Sequence, residues 1–327
     1  MASNYTDWQG PPPPYIITFG RDSTCTLDLC PLEWSVYRYR PNLAANVIFV
    51  VAFAIIGIIH CFLGFYWKSP GFMTGMLLGC ISSVIGYVGR IVLRTDPFAF
   101  EVFMIQISEC VCARQTRPAA KLRIVCLTIA PVFFTASIYV TLSKTIVLLA
   151  PELSRFRPQL LYWIFIPADI MCLALQAAGG AMSVLTDNSQ AGVDISLAGL
   201  ILQVVVIIAF VAAFADYMLR YWRSGKMRAF GWRLGVFFIG LSASSIFILT
   251  RCIYRVFELK DGYDGDLITH EIPFIVLEGI IIVLASIALM WGHPGLASKA
   301  LLGRSKSEVS AAADGNRGRR WMDMVRG

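Results

Sequence analysis

Seven stretches of this chain are each long and apolar enough to cross a membrane, and no other feature restricts its fold as severely. They run over about 43–66, 72–93, 124–148, 160–185, 195–220, 230–253 and 270–291. A helix needs roughly 20 apolar residues to cross a hydrocarbon core ~30 Å thick. The composition agrees, with 57% hydrophobic and 15% charged residues, whereas soluble domains are about one-quarter charged. The connections are short, so no sizeable soluble domain fits among the 327 residues. The expected fold is all-α: a polytopic membrane domain over 43–295, an N-terminal tail over 1–42 and a basic C-terminal tail over 296–327.

Lys and Arg in short loops set orientation. The connections with Lys68, with Arg155 and Arg157, and with Arg220, Arg223, Lys226 and Arg228 are basic, as is the tail with Lys299, Arg304 and Lys306. The 186–194 connection carries Asp187 and Asp194 and no basic residue, and the 256–270 connection is mainly acidic. Alternation then predicts the N terminus outside and the C terminus in the cytoplasm. The net charge of +7 is a topology signal with some attraction for anionic lipid. The basic residues are scattered between apolar spans, which argues against nucleic acid as a partner. Nothing in the sequence specifies an oligomeric state.

Residues 1–42 are polar, rich in proline at Pro11 to Pro14, and lack the apolar core of a signal peptide. The first span would act as the signal anchor. The tail holds a glycosylation sequon at Asn4. Cys25 and Cys30 lie in the same tail, where a structural disulfide is permitted.

Charged residues inside or beside the spans are the candidates for function, because such charges are costly in hydrocarbon and are kept for a reason. Arg251, Arg255 and Glu258 share one helical face at the end of the sixth span, with Tyr254 among them. Glu271 and Glu278 share a face of the seventh. Whether Glu278 stands alone and protonated or pairs with Arg251 or Arg255 is open at this level. Tyr87 and Arg90 are neighbours near the outer end of the second span, where the arginine either snorkels to headgroups or turns inward. In the fourth span Asp169, Gln176, Gly179, Gly180 and Ser183 form one stripe. Asp169 lies deep enough to need a cation, a hydrogen-bond donor or a proton. Lys144 and an amine substrate are the candidate partners.

His60, His270 and His293 fall at different depths and cannot supply a three-histidine zinc site. There is no HExxH, GxSxG or phosphate-binding glycine loop, so an enzyme is not expected and no cofactor is implied. A G-protein-coupled receptor shares the topology, yet the third span lacks an acidic-Arg-aromatic triplet and the seventh lacks Asn-Pro-x-x-Tyr. Topology alone is analogy.

One segment breaks the pattern. Residues 108–125, SECVCARQTRPAAKLRIV, put Arg114, Arg117, Lys121 and Arg123 in a connection that should face outside. Removing them joins the flanks into a single plausible helix. Two origins stand: a short retained intron translated in frame, or a real external loop.

From about Tyr39 to Gly295 the chain resembles the fungal RTA-like proteins, the lipid-translocating exporter family linked to 7-aminocholesterol resistance and sphingoid long-chain base export. The matching blocks are YRYRPNLAANVIF, IGYVGRI, APVFFTASIY, IPADIMCLALQAAGG, RCIYRVFEL with GYDGDLITHE, and WGHPG, in order across the seven spans. The resemblance implies a plasma-membrane or endomembrane protein that moves, or protects against, amphipathic lipids such as sphingoid bases or sterol-like amines. A lipid sensor without transport is the alternative. On this basis Asp169, Glu278 or Glu271 would hold a substrate ammonium, and Arg90, Arg251 and Arg255 would orient those carboxylates or take a phosphate. The family pattern runs from Gln106-Ile107 directly into the third helix, which favours the intron for 108–125. Sequencing spliced transcripts across this point is expected to return messages without these codons; their presence in every clone would establish the loop instead.

Overall fold

The computed structural model describes residues 25–26, 29–35, 39–95, 98, 128–149, 151–155, 157–185, 189–225, 232–260 and 270–295. The sequon at Asn4, the 108–125 segment and the tail from 296 lie outside the described residues. Among those described, the chain is helical without strands. Seven helices are long and apolar enough to cross a membrane. They are α1 (Leu43–Tyr66), α2 (Pro70–Thr95), α3 (Ala130–Leu149), α4 (Gln159–Leu185), α5 (Ser189–Arg223), α6 (Trp232–Lys260) and α7 (Glu271–Trp291).

Several boundaries differ from the apolar windows. Helix α5 begins at Ser189, so Asp194 belongs to a helix rather than to the connection before it. Helix α6 continues to Lys260, two turns beyond the predicted end at 253, and so carries both Arg255 and Glu258. Hydrogen bonding along the backbone continues where hydropathy falls, because polar side chains at a helix end reach partners or headgroups. Helix α3 begins at Ala130; residues 124–127 of the predicted span lie outside the described residues.

The helices close into a ring. Each packs on the next in sequence, and α7 returns to α1. Helix α3 also reaches α6 across the middle and is the most enclosed span, 61% buried, whereas α4 is the least, at 17%. Most of α4 therefore faces lipid, with Trp163, Ile170 and Met171 exposed. The interior is aromatic: Phe53, Phe72, Phe134, Tyr139, Phe210 and Phe237 are buried in one cluster.

Local sequence explains the sharp features. Asn42 caps α1, its side chain accepting from the Ala45 N–H at 3.3 Å. The α1–α2 hairpin turns at Lys68, whose φ of 51° places it in the left-handed region. At the same end, the Gly295 N–H donates to His293 Nδ1 at 3.0 Å, and His60 Nε2 lies 3.2 Å from the Ser286 carbonyl oxygen. Burial, and then the neighbouring His60, push the His293 imidazole down to about 4, so it stays neutral. Among the described residues no three His, Cys, Asp or Glu side chains converge as a metal site.

Small residues bring α4 and α5 together. A Cβ on Gly179 would strike the Ser196 backbone nitrogen and the Gly192 carbonyl oxygen, neither of which can rotate away. Gly179→Leu is expected to lower the thermal midpoint in detergent, an overpacking cost of about 1–3 kcal/mol. Gly235, with nothing within 4 Å of its would-be Cβ, is the control. Gly235→Ala should be neutral or stabilising, by roughly 0.5–1 kcal/mol.

Candidate functional site

Two separate sets of charge lie within the ring. The first centres on Asp169. It comes ten residues after Gln159, about 15 Å along α4 at 1.5 Å per residue, and is fully buried. Both of its hydrogen-bond donors come from α3: the Thr135 hydroxyl at 3.0 Å and the Tyr139 phenol at 3.1 Å, each to Oδ2. Thr135 has a single proton and also lies 2.9 Å from the Val132 carbonyl oxygen, so Tyr139 is the fuller donor. Asp169 Oδ1 is buried with no hydrogen-bond partner among the described residues. A carboxylate so placed retains an open valence for a cation or a proton.

Lys144 does not fill that valence. Its side chain is exposed, and its Nζ lies beside Gly71 at the start of α2. Five residues separate it from Tyr139 on α3, so it points away from the face that meets Asp169. Gln176 follows Asp169 on α4 but turns to α5, where its Nε2 donates to Gln203 Oε1 at 3.0 Å. Ser183 caps back on the Gly180 carbonyl oxygen at 2.9 Å. One side of α4 thus serves two neighbours. Thr135 and Tyr139 are absent from the sequence candidates; the signal that could have found them is their i, i+4 spacing within APVFFTASIY, which puts both hydroxyls on one face of α3.

The second set joins α2, α6 and α7 toward the end where α7 begins. Arg251 Nη2 donates to Glu278 Oε1 at 2.6 Å, and both side chains are almost wholly buried. Arg255 donates through Nη1 to Glu258 at 2.6 Å and approaches Glu278 Oε2 at 3.9 Å through Nε. Tyr254 is buried on the same helix, its hydroxyl without a hydrogen-bond partner among the described residues. Arg90 turns inward rather than snorkelling: it is 1% exposed, donates to the Tyr39 hydroxyl at 2.9 Å and lies 3.7 Å over the Phe274 ring. Burial raises the Tyr39 phenol above its ordinary range, with the Arg90 charge pulling the other way.

Backbone geometry presents Glu278 to this set. Helix α7 opens with an α turn over Glu271–Phe274, passes through a π turn over Ile275–Ile280 and resumes as α over Ile281–Trp291. A π turn disturbs the regular pairing of backbone groups, and the Tyr87 hydroxyl donates to the Glu278 carbonyl oxygen at 3.4 Å. Tyr87 is held by the rings of Phe49 and Phe53, 4.9 and 5.8 Å away. Glu271 takes a different partner, accepting the Asn42 N–H at 2.6 Å through Oε1. Cys25 and Cys30 form a disulfide packed against Phe98, apart from both sets.

Residues 110–300, more than half of the chain, match the family described as RTA1 like protein. The sphingoid long-chain base transporter RSB1 of Saccharomyces cerevisiae is 29% identical over 309 residues, covering 82% of this chain and 74% of that protein. Protein RTA1 of the same yeast is 27% identical over 272 residues, with 80% and 85% covered. Protein RTM1, also from that yeast, is 24% identical over 317 residues, with 80% and 92% covered. No solved structure matches the chain.

The buried pair sets a clear energetic expectation. Glu278→Gln leaves Arg251 buried without its counter-charge and should cost about 3–5 kcal/mol, read as a lower thermal midpoint in detergent. Arg251→Met combined with Glu278→Leu removes both charges and should recover most of that loss. A double variant no better than the single ones would show that the pair acts through shape rather than charge.

Proposed function

The chain belongs to the RTA1 like protein family, and from that premise we propose that it moves amphipathic lipids across a bilayer, cationic long-chain bases foremost. The observation that carries this reading is the buried Asp169 carboxylate with one oxygen engaged by Tyr139 and Thr135 and the other open. A long-chain base is an ammonium on an alkyl tail. Its ammonium satisfies Oδ1, while the tail stays in hydrocarbon along α4, the least enclosed helix. Only the headgroup then has to leave water, and a charge-assisted hydrogen bond offsets part of that cost.

Glu278 and the arginines brace α6 against α7 rather than hold the substrate. The Glu278 carboxylate is already committed to Arg251, so proton exchange coupled to transport is assigned to Asp169. The similarity to RSB1, named as a sphingoid long-chain base transporter, supports lipid as cargo. The basic connections at 68, 155–157 and 220–228 and the Cys25–Cys30 disulfide support an N terminus outside and a C terminus in the cytoplasm. The plasma membrane is the proposed location, and an amphipathic lipid the proposed partner.

The test follows efflux of a labelled sphingoid base from cells that lack related exporters, with surface expression quantified. Cells expressing the chain should release the base faster than empty-vector cells. Asp169→Asn at equal surface level should fall to the empty-vector rate, and Asp169→Glu should retain part of it. An efflux rate unchanged by an imposed pH gradient would remove the proton coupling. No efflux from a well-expressed protein would turn the reading to a lipid sensor.

A further inference from the structure

Where α1 begins and α2 stops, an open groove of about 750 Å³ lies outside both charged sets. Arg40, Arg94 and Glu271 form its polar side, and Leu43, Val47 and Ile48 its apolar side. The three apolar residues are exposed on the lipid-facing surface of α1. Leu43 and Val47 are one helical turn apart, so the wall runs along the helix axis. A ligand seated here would have its head at the helix end and its body parallel to the bilayer normal.

The polar side is anchored. Arg94 Nη1 donates to the Pro41 carbonyl oxygen at 3.1 Å, and Glu271 Oε1 accepts the Asn42 N–H at 2.6 Å. Both tethers end on the backbone just before α1, which brings the tip of α2, the start of α7 and the cap of α1 to one place. Each tether uses one polar atom of its side chain, and the rest of each group remains for a ligand. Arg40 is exposed beside them.

We propose that this groove holds the headgroup of an amine-bearing phospholipid. Its phosphate lies against Arg94 and Arg40, its ammonium against the Glu271 carboxylate, and its acyl chains over Leu43, Val47 and Ile48. Guanidinium groups match phosphate with paired, charge-assisted hydrogen bonds. Glu271 decides the headgroup. A bare cationic base meets two guanidiniums, and a purely anionic phospholipid leaves the carboxylate facing its phosphate. A choline headgroup has the right charges but no N–H to donate, whereas a primary ammonium has three. The inference does not rest on lipid translocation: it concerns a lipid bound at the edge of the bundle, away from Asp169.

The full-length protein in detergent would be titrated with short-chain phosphatidylethanolamine, phosphatidylcholine and phosphatidylglycerol, with bound lipid counted by native mass spectrometry. Phosphatidylethanolamine is expected to bind tightest. Glu271→Gln should weaken phosphatidylethanolamine tenfold or more and leave phosphatidylglycerol unchanged or tighter. Arg94→Gln should weaken both. Arg40→Gln should act in the same direction, and because Arg40 is exposed this variant keeps the test free of misfolding. Equal binding of the three lipids, or phosphatidylethanolamine binding untouched by Glu271→Gln and Arg40→Gln, would overturn the proposal. Loss of phosphatidylethanolamine binding with normal sphingoid-base efflux would uphold the groove and separate it from transport.

Discussion

A guanidinium and a carboxylate that share almost no water hold this bundle in its arrangement. Charges buried this deeply are tolerated only when they face each other, since either one alone carries the full cost of leaving water. Arg251 and Glu278 meet that condition at 2.6 Å and so fix α6 against α7. The ring closes through α7 on α1. Tyr87 then ties α2 to the Glu278 carbonyl oxygen, and Arg90 lies over Phe274 four residues earlier on α7. Three helices, α1, α2 and α6, are thus referred to the seventh.

Asp169 occupies the same kind of medium with the opposite outcome. It has hydrogen bonds on one oxygen and no charged partner among the described residues, while Glu278 has Arg251 on one oxygen and Arg255 nearby. In charge, one carboxylate is complete and the other is not, although Glu278 Oε2 and Asp169 Oδ1 each lack a hydrogen bond among the described residues. That difference, rather than the presence of acidic residues in spans, separates a brace from the group proposed to bind substrate. Helix α3, the most enclosed span, supplies the donors, so the incomplete carboxylate has a rigid wall behind it.

Much of this was legible in the sequence, for reasons that also explain the omissions. The first span matched from end to end because α1 is apolar apart from the buried Asn46 and His60 and is capped by Asn42. Hydropathy under-ran α6, since Arg255 and Glu258 satisfy each other one turn apart and let the helix continue. It could not decide between Arg251 and Arg255 for Glu278, because that choice depends on how α6 is rotated against α7. The partners of Asp169 were missed: Lys144 has the right charge and Tyr139 only the right hydroxyl, and five residues on a helix place them on different faces. The π turn leaves no mark in composition, as its residues, IVLEGI, would suit a regular helix.

That turn has a consequence for the helix that contains it. A π turn amounts to one residue inserted into a regular helix, and one residue corresponds to about 100° of rotation. The two halves of α7 therefore run out of phase, and each is keyed to its own neighbours. The half before the insertion gives Phe274 to Arg90, and the turn itself gives Glu278 to Arg251. The half after it gives the Ser286 carbonyl to His60 and leads to His293, whose Nδ1 accepts the Gly295 N–H. A helix of uniform phase would satisfy one set of neighbours and present the wrong side chains to the other. The seventh helix is thus two short rods in one span, joined at the turn that carries Glu278, and each rod is cut to the neighbours at its own end of the bundle.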